Sequence, residues 1–166
     1  MGKHTTFERA IKIAASLGDY AQRRALSVEI VTECADWPAP RGALSRFALM
    51  QYLARVQADG DTRLGLVLAQ VRAATTVAVL LPWPDVEVVP SLVGMLRAGV
   101  GLLVMVIVPS DFPAMNGRYE TQTNELVDTL VTAGVDTRTI GWGLIGPRRL
   151  NGMNRGRAPA GEGGMA

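Results

Sequence analysis

Two short runs constrain this chain more than anything else in it. TTVAVLLP, residues 75–82, and VGLLVMVIVP, residues 100–109, are almost unbroken apolar stretches, each ending at a proline. Neither is long enough to cross a bilayer as a helix, which takes about 20 residues. Their β-branched content and length suit parallel strands buried on both faces, because crossover helices then cover the sheet from either side.

The flanking segments supply such helices. Residues 5–24 read as a helix, with Phe7, Ile11, Ala14, Leu17 and Ala21 at three- and four-residue steps, Thr5 or Thr6 as its cap and Glu8 in its first turn. LSVEIVT, 26–32, alternates and reads as a strand, and DWPAPRG, 36–42, as a loop. Residues 43–58 form a second helix with Leu44, Phe47, Ala48, Tyr52 and Val56 on its inner face; residues 63–73 form a short third. Residues 86–98 fit a helix closed by Gly99. Residues 120–133 fit another, with Leu126, Val127, Leu130 and Val131 inward, closed by Gly134; 135–143 is a last strand. The order αβααβαβαβ predicts an α/β fold: a Rossmann-like, three-layer, mostly parallel sheet with helices on both faces.

Charge separates a body from a tail. Residues 1–146 hold 13 Lys and Arg against 14 Asp and Glu, whereas 147–166 hold Arg148, Arg149, Arg155 and Arg157 against Glu162. The expected organisation is one α/β domain over 1–146 and a disordered basic tail over 147–166. A near-neutral body does not indicate a nucleic-acid partner. No membrane segment and no signal peptide are evident, and the single Cys34 fits a reducing compartment, so the expected location is cytoplasmic.

Ligands of open parallel sheets bind beyond the carboxyl ends of the strands. That rim would carry Asp85 in PWPD, Ser110 and Asp111 in PSDF, and, in the DGDT turn, Asp59, Asp61 and Thr62. Oxygen donors of this kind suit magnesium, calcium or manganese. Each also has a plain structural role: Asp61 or Thr62 as cap of the helix from 63, Asp85 as cap of the helix from 86, Asp111 in a turn before Pro113. His4 is the only histidine, which disfavours a Ser/His/Asp triad or a histidine metal cluster, and neither glycine-rich phosphate-binding loop is present. Trp37, Trp83 and Trp142 lie near strand ends, where one could anchor a partner.

Four stretches, TTFERAIKIAASLGDYAQRRALSVEIVT, LARVQADGDTRLGLVLAQV, TTVAVLLP and LRAGVGLLVMVIVPSDF, together resemble the von Willebrand factor A-like domain of an uncharacterised bacterial family often encoded beside MoxR-type AAA+ ATPases. The similarity runs from about residue 4 to residue 143 and is carried best by the F-E-x-A-x-x-I-A-A-S-L helix. The resemblance implies a rim site built from a D-x-S-x-S turn, a threonine and an aspartate. Thr62 matches the threonine, Asp85 stands later than the aspartate should, and the D-x-S-x-S turn is missing. Thr62 and Asp85 are thus the metal candidates of a degenerate site, and no resident cofactor is expected. The resemblance also implies that the strand preceding residue 5, central in the family's sheet, is missing, as in a fragment or a shortened copy; 26–32 is then expected to pair directly with 75–82. The function implied is a non-catalytic protein–protein interaction module, assisting a MoxR-type AAA+ ATPase. A fragment without independent activity, and a metal-dependent α/β enzyme using Asp85 and Asp111, stand as alternatives.

Overall fold

A computed structural model describes residues 5–32, 38–59, 63–69, 71, 76–109, 112, 119–141 and 145–146. Their elements are α1 (Thr6–Arg23), α2 (Arg46–Leu53), α3 (Leu64–Leu68), β1 (Thr76–Leu81), α4 (Val89–Arg97), β2 (Gly101–Ile107), α5 (Glu120–Thr132), β3 (Asp136–Ile140) and β4 (Ile145–Gly146). The sheet runs β1-β2-β3-β4; β1, β2 and β3 are parallel, and the two-residue β4 is antiparallel to β3.

Both apolar runs are strands, and the sheet explains why they are apolar throughout. In β2, Leu102, Val104 and Val106 join Val79 and Leu81 of β1 in one core layer, closed by Leu92 of α4 and by Leu126, Val127 and Leu130 of α5. The intervening Met105 and Ile107 belong to a second layer on the other face, with Ile140 of β3, Phe112, and Ala10 and Ile13 of α1. Successive side chains point to opposite faces, so a strand between two helical layers has no position left for a polar residue. The two crossover helices share a face, as two successive crossovers of one hand that step in one direction across a sheet require.

Helix boundaries follow local chemistry. Thr5 caps α1 through a complete capping box: the Glu8 amide donates to Thr5 Oγ1 at 3.1 Å, and the Thr5 amide donates to Glu8 Oε2 at 3.2 Å. Ser45 starts α2 by accepting from the Ala48 amide. Asp85 heads a single 3-10 turn, Val86–Val88, by accepting from the Glu87 amide at 2.9 Å, and α4 then begins with Pro90 in its first turn. Gly99 and Gly134 end α4 and α5 with φ of 83° and 82°, the left-handed geometry that glycine adopts without a Cβ clash.

Several sequence expectations are corrected. Residues 26–32 are not a strand. They are fixed to the helices instead: the Val28 carbonyl accepts from the Leu44 amide at 2.8 Å, Thr32 Oγ1 bonds to the Tyr52 hydroxyl, and Val28 and Ile30 pack against Leu49, Tyr52 and Leu53. Their two-residue alternation is real, but the surface it serves is α2 rather than a ladder. The expected pairing of 26–32 with 75–82 therefore does not form, and β1 is an edge strand. In α2 the inner face is Leu49, Tyr52 and Leu53, while Phe47, expected inside, is 77% exposed. Val131 of α5 is likewise exposed. The helices expected over 43–58 and 63–73 shorten to Arg46–Leu53 and Leu64–Leu68. Arg63 takes the N-cap position of α3 without a side-chain bond, so Asp61 and Thr62 precede the cap rather than form it.

The periodicity of α1 is double. Ala10, Ile13 and Leu17 face the sheet, and Ile11, Ala14 and Ala15 face α2. This single helix therefore joins the sheet to the outer α2 layer. At its far end Gly18 lets α2 approach so closely that a Cβ there would lie 2.2 Å from Leu49 Cδ2.

Candidate functional site

The carboxyl ends of β1 and β2 lead into Pro82–Asp85 and Val108–Pro109, and the chain returns to this rim at Tyr119, before α5. The Val108 amide donates to the Ile140 carbonyl at 2.9 Å, extending the pairing of β2 with β3 one residue towards the rim. Phe112 closes the core beneath it, 2% exposed.

On this base stand two aromatic rings. Trp83 and Tyr119 meet edge to face, with centroids 5.4 Å apart and planes at 76°. Trp83 is 41% exposed and Tyr119 39%, so the pair offers apolar surface to solvent while half of each ring is already held. Edge-to-face contact fixes ring orientation and adds about 1 kcal/mol beyond area burial.

The Tyr119 backbone is strained. It sits at the N-cap of α5 with φ 66° and ψ 11°, a left-handed conformation that costs a bulky residue roughly 1–2 kcal/mol. Thr123 pins it there. The Tyr119 carbonyl accepts from the Thr123 amide at 2.8 Å and from Thr123 Oγ1 at 2.6 Å, and Thr123 is completely buried. No N-cap side-chain bond offsets the strain. What the conformation does achieve is the placement of the ring against Trp83.

The expected metal ligands fare differently. Asp85 is at the rim, with Oδ1 engaged as the cap of the 3-10 turn. Thr62, Asp61, Ser110 and Asp111 lie outside the described residues, as do Cys34, Trp37 and Trp142. The start of α3 is brought to the rim, however: Arg63, next to Thr62, forms an ion pair at 2.7 Å with Glu87, two residues beyond Asp85. Ser91 Oγ of α4 bonds to the Gly65 carbonyl and holds the same junction. Among the described residues no group of three or more His, Cys, Asp or Glu side chains is placed to hold a metal ion.

A second concavity, of about 530 Å³, lies between the end of α1 and the start of α2, lined by Asp19, Gln22, Arg23, Leu26, Ser45 and Arg46. Asp19 bridges Arg23 at 2.8 Å and Arg46 at 2.6 Å, so one carboxylate is shared between the two guanidiniums of the groove. Sequence reasoning singled out Trp83 only as one of three tryptophans and missed Tyr119. Its left-handed backbone follows from folding against Thr123, and no local pattern announces it.

Among the described residues no helix is long and apolar enough to cross a membrane. No family model, curated protein or solved structure matches the chain.

Proposed function

We propose that this chain is a non-catalytic protein–protein interaction module of the von Willebrand A-like kind, docking its partner at the carboxyl rim of the sheet. The observation that carries the reading is the exposed Trp83–Tyr119 pair, with Tyr119 held in a left-handed conformation at the start of α5. Aromatic anchors already immobilised before contact lose little side-chain entropy on binding, which is why Trp and Tyr dominate the energetics of protein interfaces. The partner proposed is a MoxR-type AAA+ ATPase, on the strength of the sequence resemblance, and the location proposed is cytoplasmic.

Calorimetric titration against a purified MoxR-type AAA+ ATPase tests this. Binding is expected, weakened at least about tenfold by Trp83→Ala, the ordinary loss at a central aromatic anchor. Tyr119→Gly separates docking from folding. It removes both the ring and the strain, so affinity should fall while the melting temperature holds or rises. A wild-type chain that ignores the ATPase removes this partner, and affinities untouched by both substitutions remove the rim as the surface.

The reading assigns no resident ion. Millimolar magnesium or manganese is expected to leave the melting temperature unchanged, because an ion bound only by the folded chain would raise it by mass action. A dose-dependent rise, lost in Thr62→Ala, would restore the metal site.

A further inference from the structure

Among the described residues, no strand pairs with the outer edge of β1. One side of the strand forms a six-pair parallel ladder with β2, from Thr76↔Gly101 to Leu81↔Val106. On the other side, among the described residues, no backbone hydrogen bond is made. Residues 26–32, which could have covered it, are tied to Leu44 and Tyr52. Alternate residues of a strand direct their amides and carbonyls to opposite edges, so half of β1 presents a spaced row of donors and acceptors that only another extended chain can match. Proteins usually blunt such an edge with a lysine, a proline, a bulge or an inward charge. β1 is Thr-Val-Ala-Val-Leu-Leu, and its register is unbroken.

We propose that the occupant is a second copy of this chain, its β1 pairing antiparallel with the first β1 about a two-fold axis normal to the sheet. Several features fit a second copy. A peptide would pair the backbone but leave its own two faces bare. A copy arrives with helices on both faces, and an axis normal to the sheet keeps α4 and α5 on one face of the joined sheet and α1 on the other. No charges are forced together, because β1 carries none. The residues meeting on the α1 face are Thr76 and Ala78, both exposed and both small, and the half-buried Leu80. Apolar surface also remains on α3: Leu68 joins the core layer of Val79 and Leu81, while Leu66 on the same short helix is 61% exposed.

The symmetry fixes the register. Side chains paired across this axis must lie on the same face, so paired residues share parity and the ladder centres on a residue rather than between two. Ala78 and Val79 are the residues nearest the middle of β1, and the dimer joins the two four-stranded sheets into one.

Sedimentation velocity on the full chain, from about 5 to about 500 µM, should show the mass doubling with concentration, as expected of a small interface. Ala78→Lys places two like charges at or next to the axis and should give a monomer throughout, with the far-ultraviolet spectrum unchanged. In a Cys34→Ser background, Ala78→Cys should be crosslinked to itself by a short bismaleimide, and Phe47→Cys on α2 should not. A wild-type monomer across the whole range overturns the proposal. So does a dimer that survives Ala78→Lys, and so does a position-78 thiol that fails to crosslink; the thiol measurement stands even if the lysine variant does not fold.

Discussion

Ala25 carries a penalty that one substitution can remove. It follows α1 with φ 57° in a Schellman-type ending: the Leu26 amide donates to the Ala21 carbonyl and the Ala25 amide to the Gln22 carbonyl, both at 3.0 Å. Gly99 and Gly134 occupy the equivalent positions after α4 and α5. Ala25→Gly should therefore stabilise the chain by about 1 kcal/mol in urea unfolding, the relief of the left-handed Cβ clash outweighing the greater freedom of glycine in the unfolded state. Gly18 is the opposite case. Alanine in a helix interior ordinarily gains about 1 kcal/mol over glycine, but at Gly18 the new Cβ would meet Leu49, itself 1% exposed and unable to turn away. Gly18→Ala should destabilise, overpacking of a filled core costing about 1–3 kcal/mol. Gly94→Ala is the control: an added Cβ on this exposed α4 position meets nothing within 4 Å, so the full propensity gain should appear. Equal effects at both glycines would show that the α1–α2 contact is looser than described.

Among the elements, α1 depends most visibly on its end. Thr5→Ala removes one half of the capping box and leaves the Glu8 amide without its acceptor, at a cost of about 1 kcal/mol, seen as a lower urea midpoint with unchanged slope. Asp85→Ala should cost less, since that cap serves only a single 3-10 turn. These starts were legible in the sequence, because Thr5 and Asp85 satisfy neighbouring amides whatever else the chain does. The two buried strands were legible for a similar reason: burial on both faces leaves an unbroken apolar run. What sequence could not supply was which partner an alternating segment chooses. Val28 and Ile30 would suit a ladder as well as they suit α2, and Phe47 fits an inner helical stripe as well as an exposed one. The rim was placed correctly in outline through Asp85 and Trp83. The pairing of Trp83 with Tyr119 depends on where α5 enters the sheet, which is a matter of tertiary geometry.

At the scale of the molecule, the three apolar clusters divide the chain unequally. The sheet shares two of them with α1, α3, α4 and α5, whereas Leu49, Tyr52 and Leu53 of α2 form the third with residues of α1 and with Val28, Ile30 and Leu44. The outer layer thus depends on α1 for its place, while the sheet has no corresponding need of α2. Units attached through one neighbour open at lower free energy than the core they rest on. Native-state hydrogen exchange should accordingly show the α2 amides, Leu49 to Leu53, opening in a step that leaves Val104 to Ile107 of β2 protected. Leu49→Ala removes a side chain that is almost fully enclosed, a change that typically costs 2–5 kcal/mol. If the layers are separable, that loss should appear in α2 exchange and leave the β2 opening free energy nearly unchanged. The same experiment reports on the edge. In a monomer, the β1 amides directed away from β2, which make no backbone bond among the described residues, should exchange faster than their β2-bonded neighbours; at dimer-forming concentrations that difference should shrink. Exchange of α2 and β2 at one common free energy would instead mean a single cooperative unit, with α1 transmitting every outer-layer loss into the sheet.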